Sequence, residues 1–189
     1  MGIFGPVITP EDKDWTWVLS RPCTECGFDA SACKGERIPG LLRENTTAWQ
    51  RLLGQGRIRS GRPDPSSWST LEYSCHLRDA FGRLEGRIDL MLTDENPVLV
   101  FWDQDATAEE EGYDEQDPAV VVAELTAAAD SLAARLEGLS APDWPRPGRR
   151  SDGATFTVAT ISRYALHEAN HHLFDVTKAT VQPTEQRWR

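Results

Sequence analysis

The chain has 189 residues, of which 39% are hydrophobic and 26% are charged, a composition typical of one globular domain with a substantial core. The formal net charge is −10, which argues against nucleic acids and anionic membranes as main partners, since both bind basic surfaces. No apolar run approaches the roughly 20 residues that cross a bilayer. The N-terminal residues 1–6 lack the basic and apolar segments of a secretory signal, so we expect a cytoplasmic protein with reduced cysteines.

Residues 1–37 show little helical periodicity and are predicted to form an irregular N-terminal segment. Within it, Cys23-Thr-Glu-Cys26-Gly resembles one half of a zinc knuckle. A structural zinc site needs four ligands, and a second Cys-x-x-Cys is absent. Cys33 could be a third ligand, but no fourth stands nearby in the sequence. The alternative interpretation is a tight turn that carries two half-buried thiols.

Two helices are predicted in the first half of the chain. The first spans Ile38 to Leu53, and the second runs from about Trp68 to Leu92, with Ser66 or Ser67 as its N-cap. The second helix carries an apolar stripe at three- and four-residue spacing, which is typical of a core-facing helix. The stripe consists of Leu77, Phe81, Leu84, Ile88 and Met91.

Residues 93–117 are predicted to form a long acidic loop, which could cover a functional site. The acidic run that begins at Asp103 resembles the start of a calcium-binding loop. The resemblance fails at Ala108, where the sharp turn requires glycine, and at Asp114, where a bidentate glutamate belongs. A solvated loop is therefore the preferred interpretation.

The third helix is predicted to begin at Asp117-Pro118, with aspartate as the N-cap and proline at the first helical position. The fourth is predicted to run from about Thr155 to Thr180. No repeat or alternating β-branched segment competes with these helices. Four long helices predict an all-α fold, a four-helix bundle over residues 38–180 within a single domain that covers residues 1–189.

Three of the four histidines stand on the last predicted helix, between His167 and His172. Because residues four apart share a helix face, two metal-binding pairs are possible: Glu168 with His172, or His167 with His171. The pairs lie about 100° apart around the helix axis, so one ion can hardly use both. Glu168 and His172 continue the apolar spacing of the core-facing side, which favours them, and the other pair stays open as an alternative.

His76 borders the apolar stripe of the second helix and is the candidate third ligand. A histidine from one helix with a carboxylate and a histidine from another leaves a coordination position for water or substrate, as in catalytic metal sites. His171, Asp175 or Asn45 could hydrogen-bond the ligands. The alternative is that His76 is a packing residue and that the other histidines face solvent.

Two motifs carry a family resemblance. One is Trp68-Ser-x-Leu-Glu-Tyr-x-x-His76 at the start of the second helix, and the other is the histidine-rich stretch His167 to Asp175. Together with the order and length of the four helices, they resemble the DinB-like superfamily of four-helix bundles. That superfamily includes YfiT-type metal hydrolases and mycothiol-dependent maleylpyruvate isomerases.

The resemblance implies one divalent metal ion, zinc or nickel, bound by His76 and one pair on the last helix. Carried over, that pair is Glu168 and His172, or alternatively His167 and His171. The implied activity is that of a thiol-dependent S-transferase or a hydrolase. In such enzymes the metal lowers the pKa of a bound low-molecular-weight thiol or water.

The expected partner is a small-molecule substrate, and Arg149, Arg150 and Arg163 could bind an anionic one. Two other functions are considered beside the enzyme. One is a non-catalytic bundle that acts through homodimer formation or partner binding, in which His76 and the last-helix histidines need not converge. The other is a redox or zinc module formed by the cysteine loop.

Overall fold

The computed structural model describes residues 14–54, 61–63 and 67–178. The helices are α1 (Ile38–Gly54), α2 (Thr70–Thr93), α3 (Gln104–Glu110), α4 (Pro118–Glu137) and α5 (Val158–Lys178). The strands are β1 (Val98–Leu99), β2 (Pro147–Arg150) and β3 (Thr155–Thr157). No helix among these described ranges is both long enough and apolar enough to cross a membrane.

The four long helices form a bundle, which confirms the predicted fold class. Helix α4 packs against both α1 and α2, and α5 packs against the same two helices, so α1 and α2 lie diagonally opposite each other. The core is filled by apolar side chains from all four helices, because each helix presents an apolar stripe. Its members include Leu42, Trp49, Leu77, Leu125 and Ala165, each fully or almost fully buried.

The start of α2 is fixed by a capping box. The Ser69 hydroxyl accepts a hydrogen bond from the Glu72 backbone N–H, and the Glu72 carboxylate accepts one from the Ser69 backbone N–H at 2.8 Å. The predicted cap at Ser66 or Ser67 was therefore wrong. Ser67 precedes the helix by three residues, and Ser66 lies outside the described residues.

The predicted start of α4 is confirmed. Asp117 is the N-cap and accepts a hydrogen bond from the Ala119 N–H at 2.8 Å, and Pro118 is the first helical residue.

The segment between α2 and α4 contains more structure than the predicted loop. It forms β1, α3 and a 3-10 turn at Tyr113–Glu115. Strand β1 pairs in parallel with β2, which pairs antiparallel with β3 in the register Gly148↔Phe156. Residues 155–157, predicted as the start of the last helix, form β3 instead. Gly148 lies so close to α2 that a Cβ there would be 2.8 Å from Met91 Cγ.

The described part of the N-terminal segment, residues 14–37, has three short 3-10 helices, Trp15–Leu19, Ala30–Ala32 and Gly35–Arg37, and it packs on α5. It has a small core of its own, formed by Val18, Cys23 and Cys26. Aromatic side chains of the segment and of α5 cover this core. The packing holds the Cys-x-x-Cys turn against the histidine-rich stretch of α5.

Candidate metal centres

Helix α5 presents its two i, i+4 pairs to different parts of the protein. The ligand-type atoms of Glu168 and His172 converge with that of His76 on α2, and all three atoms lie within 4.8 Å of one another. His167 and His171 converge instead with the two cysteines of the N-terminal segment. The structure thus brings the favoured pair to His76 and carries the alternative pair elsewhere.

The three-residue cluster has separations suited to one shared ion. His76 Nε2 lies 3.1 Å from Glu168 Oε1, and the His76 and His172 ring centroids are 4.9 Å apart at 83°. Nitrogen and oxygen ligands of one tetrahedral zinc ion are about 3.4 Å apart. The cluster therefore needs only a small adjustment to accept such an ion.

The protonation states in this cluster also suit a cation. Burial would raise the pKa of Glu168, but its hydrogen bond and charge interaction with His76 outweigh burial and lower it. Burial lowers the pKa of His172. Near neutral pH the cluster thus offers an ionised carboxylate and a neutral His172 imidazole, the forms that bind metals.

Aromatic rings enclose the three-residue cluster. Trp102 stacks on His76 with a centroid distance of 5.3 Å and an interplanar angle of 3°. Trp68 lies 4.9 Å from His76, and Tyr73 lies 4.8 Å from His172. Because Trp102 belongs to the acidic segment 93–117, that segment covers the cluster.

A cavity of about 270 Å³ opens beside Glu168 and Trp102. Arg83, Arg87 and Arg150 line it. Burial and the nearby charge of Arg150 lower the pKa of the half-buried Arg87, and among the described residues Arg87 forms no salt bridge. The carboxylates of Asp103, Asp105 and Glu168 also line the cavity, so the positive charge that an anionic ligand could neutralise is local to Arg87.

The structure separates the three arginines that were considered as contacts for an anionic substrate. Arg150 lines the cavity, whereas Arg149 is exposed outside it and Arg163 donates to the Cys33 carbonyl oxygen at 3.0 Å. Arg83 and Arg87 were missed. Their spacing of seven and eleven residues from His76 keeps them near its face of α2, and that spacing is a signal in the sequence.

A second cluster consists of Cys23, Cys26, His167 and His171, whose ligand-type atoms also lie within 4.8 Å of one another. All four residues are buried, with exposed fractions of 2%, 9%, 3% and 6%. Cys33, the suggested third ligand, lies in the bundle core instead, and its thiol contacts the Lys34 carbonyl oxygen. The cysteines of the turn are more buried than the half-buried thiols expected.

The predicted supporting residues divide between the two clusters. Asp175 Oδ2 lies 3.6 Å from His172 Nδ1 and 3.5 Å from His171 Nε2. His171 was expected beside His76 but faces Cys23, with its Nδ1 3.7 Å from the Cys23 sulfur. Asn45 donates to the Ala169 carbonyl oxygen at 3.1 Å rather than to a ligand.

Comparison with known proteins places this arrangement in a family. The sequence profile of the DinB superfamily matches residues 40–174, which include α2, α4 and most of α5. The chain belongs to the DinB superfamily. Among curated proteins, no sequence matches it significantly.

Among solved structures, the chain is similar to YfiT from Bacillus subtilis, described as a probable metal-dependent hydrolase with an unusual four-helix bundle topology. The TM-score is 0.68 at 19% sequence identity, and the match covers 77% of this chain and 87% of the other. At that identity the similarity establishes the shared fold.

Proposed function

We propose that the protein is a divalent-metal-dependent enzyme in which His76, Glu168 and His172 bind one zinc or nickel ion. The observation that carries this proposal is the convergence of these three side chains within 4.8 Å beside a cavity lined by arginines. A non-catalytic bundle does not require the ligand-type atoms of α2 and α5 to converge.

The donor set suits the proposed metals. Imidazole nitrogen and carboxylate oxygen are common zinc ligands, and imidazole also suits nickel. Three protein ligands leave a position for an exchangeable ligand, as in catalytic sites. When bound there, the ion would lower the pKa of water or of a low-molecular-weight thiol and so supply a nucleophile near neutral pH.

The surrounding side chains have roles that follow from their contacts. Trp102, stacked on His76, restricts water access to one face of the cluster. Asp175 Oδ2 lies 3.6 Å from His172 Nδ1, beyond hydrogen-bond distance, and would support that ring and leave its Nε2 for a ligand once the two atoms close to bonding distance. Tyr73 packs against the His172 ring and limits its rotation.

The cavity indicates the substrate class. A volume of about 270 Å³ lies just below the usual range of small-molecule pockets. Arg87 can bind a carboxylate or phosphate group through charge-assisted hydrogen bonds, and Arg150 can add to them in competition with its salt bridge to Asp152. We therefore infer a small anionic substrate, transformed either by hydrolysis or by transfer to a low-molecular-weight thiol.

Metal analysis tests the ligand set. After purification from medium supplemented with zinc or nickel, we expect His172→Ala to lose one equivalent of metal relative to the wild type. Asn170→Ala, two residues away on α5, is the matched control and should retain the wild-type content. The ligand assignment fails if His172→Ala keeps all of the metal, or if neither ion raises the melting temperature of the apo protein.

Activity assays test the reaction class. Metal-loaded protein should turn over a panel of carboxylate- and phosphate-bearing esters. Turnover that requires added cysteine would assign a thiol transferase, and turnover without thiol a hydrolase. Arg87→Met should raise KM for such esters, whereas the control Arg149→Met, outside the cavity, should not. Stoichiometric metal without any turnover would favour the non-catalytic bundle.

A further inference from the structure

A second metal site lies between the N-terminal segment and α5. We propose that Cys23, Cys26, His167 and His171 bind a zinc ion in a closed, structural site that is distinct from the His76 cluster. The four side chains come from a Cys-x-x-Cys turn and an i, i+4 pair, separated by some 140 residues of sequence.

The distances fit four ligands around one ion. All four ligand-type atoms lie within 4.8 Å of one another, and Cys23 Sγ is 3.7 Å from His171 Nδ1. Sulfur and nitrogen ligands of a tetrahedral zinc ion are about 3.6 Å apart, from Zn–S and Zn–N bond lengths of about 2.3 and 2.0–2.1 Å. The distance between Cys23 Sγ and His171 Nδ1 is thus already close to that expected when both atoms bind one zinc ion.

The turn is shaped to present both sulfurs to one point. Gly27 has φ +76°, a left-handed conformation that glycine adopts without strain. Its N–H donates to the Cys23 carbonyl oxygen at 2.9 Å, and the Cys23 N–H donates to the Phe28 carbonyl oxygen at 2.8 Å. These bonds close the turn.

The histidines carry an independent sign of a ligand. His167 Nε2 is buried and has no hydrogen-bond partner among the described residues, and such orphaned groups are rare because they are costly. In His171, Nε2 lies 3.5 Å from Asp175 and 3.6 Å from Glu25, while Nδ1 faces the Cys23 sulfur. A carboxylate behind one ring nitrogen is the usual support of a metal-binding histidine.

Burial and charge favour a bound zinc ion over a cluster of four buried polar side chains without a metal. All four side chains are at least nine-tenths buried, and an unpaired charge at such a place is strongly unfavourable. Two cysteine thiolates balance the charge of a divalent cation. Two thiolates with two imidazoles form a zinc donor set, and four protein ligands leave no open position, as in structural rather than catalytic sites.

The site connects the N-terminal segment to the cavity. Trp15 packs on both histidines, with centroid distances of 5.5 Å to His167 and 4.5 Å to His171. Trp15 also lines the cavity beside Glu168. Since residues 15–37 contain only short 3-10 helices, zinc would hold this segment on α5 and with it one wall of the cavity.

Cobalt substitution tests the site, because thiolate ligands give Co(II) a charge-transfer absorption that nitrogen and oxygen ligands do not. Wild-type protein titrated with Co(II) should show this absorption, and His172→Ala should retain it in full. The double variant Cys23→Ser, Cys26→Ser should lose it together with one equivalent of metal. Cys33→Ser is the matched control, since Cys33 is equally buried but outside the cluster.

Cysteine alkylation of the wild type covers the case in which the double variant does not fold. In native zinc-loaded protein, Cys23 and Cys26 should react at least tenfold more slowly than after zinc removal by a chelator, while the protection of Cys33 by the core should change less. The proposal is overturned if cobalt-loaded wild type lacks thiolate absorption, or if zinc leaves the alkylation of Cys23 and Cys26 unchanged. A Cys23–Cys26 disulfide in protein purified with zinc would also overturn it and favour a redox module.

Discussion

The buried carboxylate of Glu72 provides a sharp test of how α2 is held at its start. It is 2% exposed and accepts hydrogen bonds from the Ser69 N–H at 2.8 Å and from Arg62 Nη2 at 2.6 Å. His76, the proposed metal ligand on α2, follows one helical turn later. The capping box therefore sets where α2 begins and where His76 lies.

Glu72→Ala removes both contacts. A buried N–H left without a partner costs about 1–3 kcal/mol, and a charged hydrogen bond contributes about 1.5–3 kcal/mol. Arg62 is 21% exposed and can partly recover its interactions with water, so we expect a total loss of about 3 kcal/mol. For a domain of this size that loss lowers Tm by about 6–12 °C.

The pH dependence has a definite sign. Burial would raise the pKa of Glu72, but its hydrogen bonds with Arg62 and Ser69 outweigh burial and lower it. A carboxyl with a lowered pKa in the folded state stabilises the protein above its unfolded pKa of about 4.3. That contribution declines as the pH falls from about 4.3 through the lower folded value, so the difference in stability between wild type and Glu72→Ala should shrink steadily over that range.

Urea denaturation followed by circular dichroism, at pH 7 and at several values below pH 5, measures both effects. Glu124→Ala is the control, since Glu124 pairs with Arg78 at 2.8 Å but its side chain is 50% exposed. An exposed pair of this kind contributes at most about 1 kcal/mol. A loss for Glu72→Ala no larger than for the control, or one independent of pH, would refute this account of the helix start.

Three further perturbations follow from the packing. Leu77→Ala, at a fully buried core position, should lower the free energy of unfolding by about 2–5 kcal/mol, measured by urea denaturation. Gly148→Ala should lower it by about 1–3 kcal/mol because the new methyl group would meet the Met91 side chain; an unchanged midpoint would show that Met91 moves freely. Asp175→Asn should weaken metal binding at both clusters by about 10–100-fold, measured by chelator competition, and an effect on neither would mean that this carboxylate orients no ligand.

The main helices were predictable because each carries a long, local and periodic signal. Asp117-Pro118 is such a signal, and it marks the start of α4. The small sheet was not predictable in the same way. Strand β1 has two residues and β3 has three, too short for an alternating pattern, and β1 pairs with a strand some 50 positions later in the chain.

The candidate sites show the same division between local and long-range information. Apolar spacing along α5 favoured Glu168 and His172 over the other pair, and these are the two that converge with His76 on α2. The spacing does not reveal that the N-terminal segment packs on the face of α5 that carries His167 and His171. These two residues were therefore considered as alternative ligands for the same ion. The sequence contains a signal that would have separated them. Cys23-x-x-Cys26 supplies two of the four ligands of a structural zinc site, and His167 with His171 can supply the other two.

The histidine-rich part of α5 should tolerate no insertion or deletion of single residues. Its two i, i+4 pairs are offset by one residue. One pair meets His76 and the other meets Cys23 and Cys26, so the spacing within residues 167–172 must stay fixed for both. A single insertion or deletion between Glu168 and His171 turns one half of each pair by about 100° and would disrupt both clusters at once. Insertions on the solvent side of the 93–117 segment have no such geometric penalty. We therefore expect the chain to tolerate insertions and deletions in the 93–117 segment better than within residues 167–172 of α5.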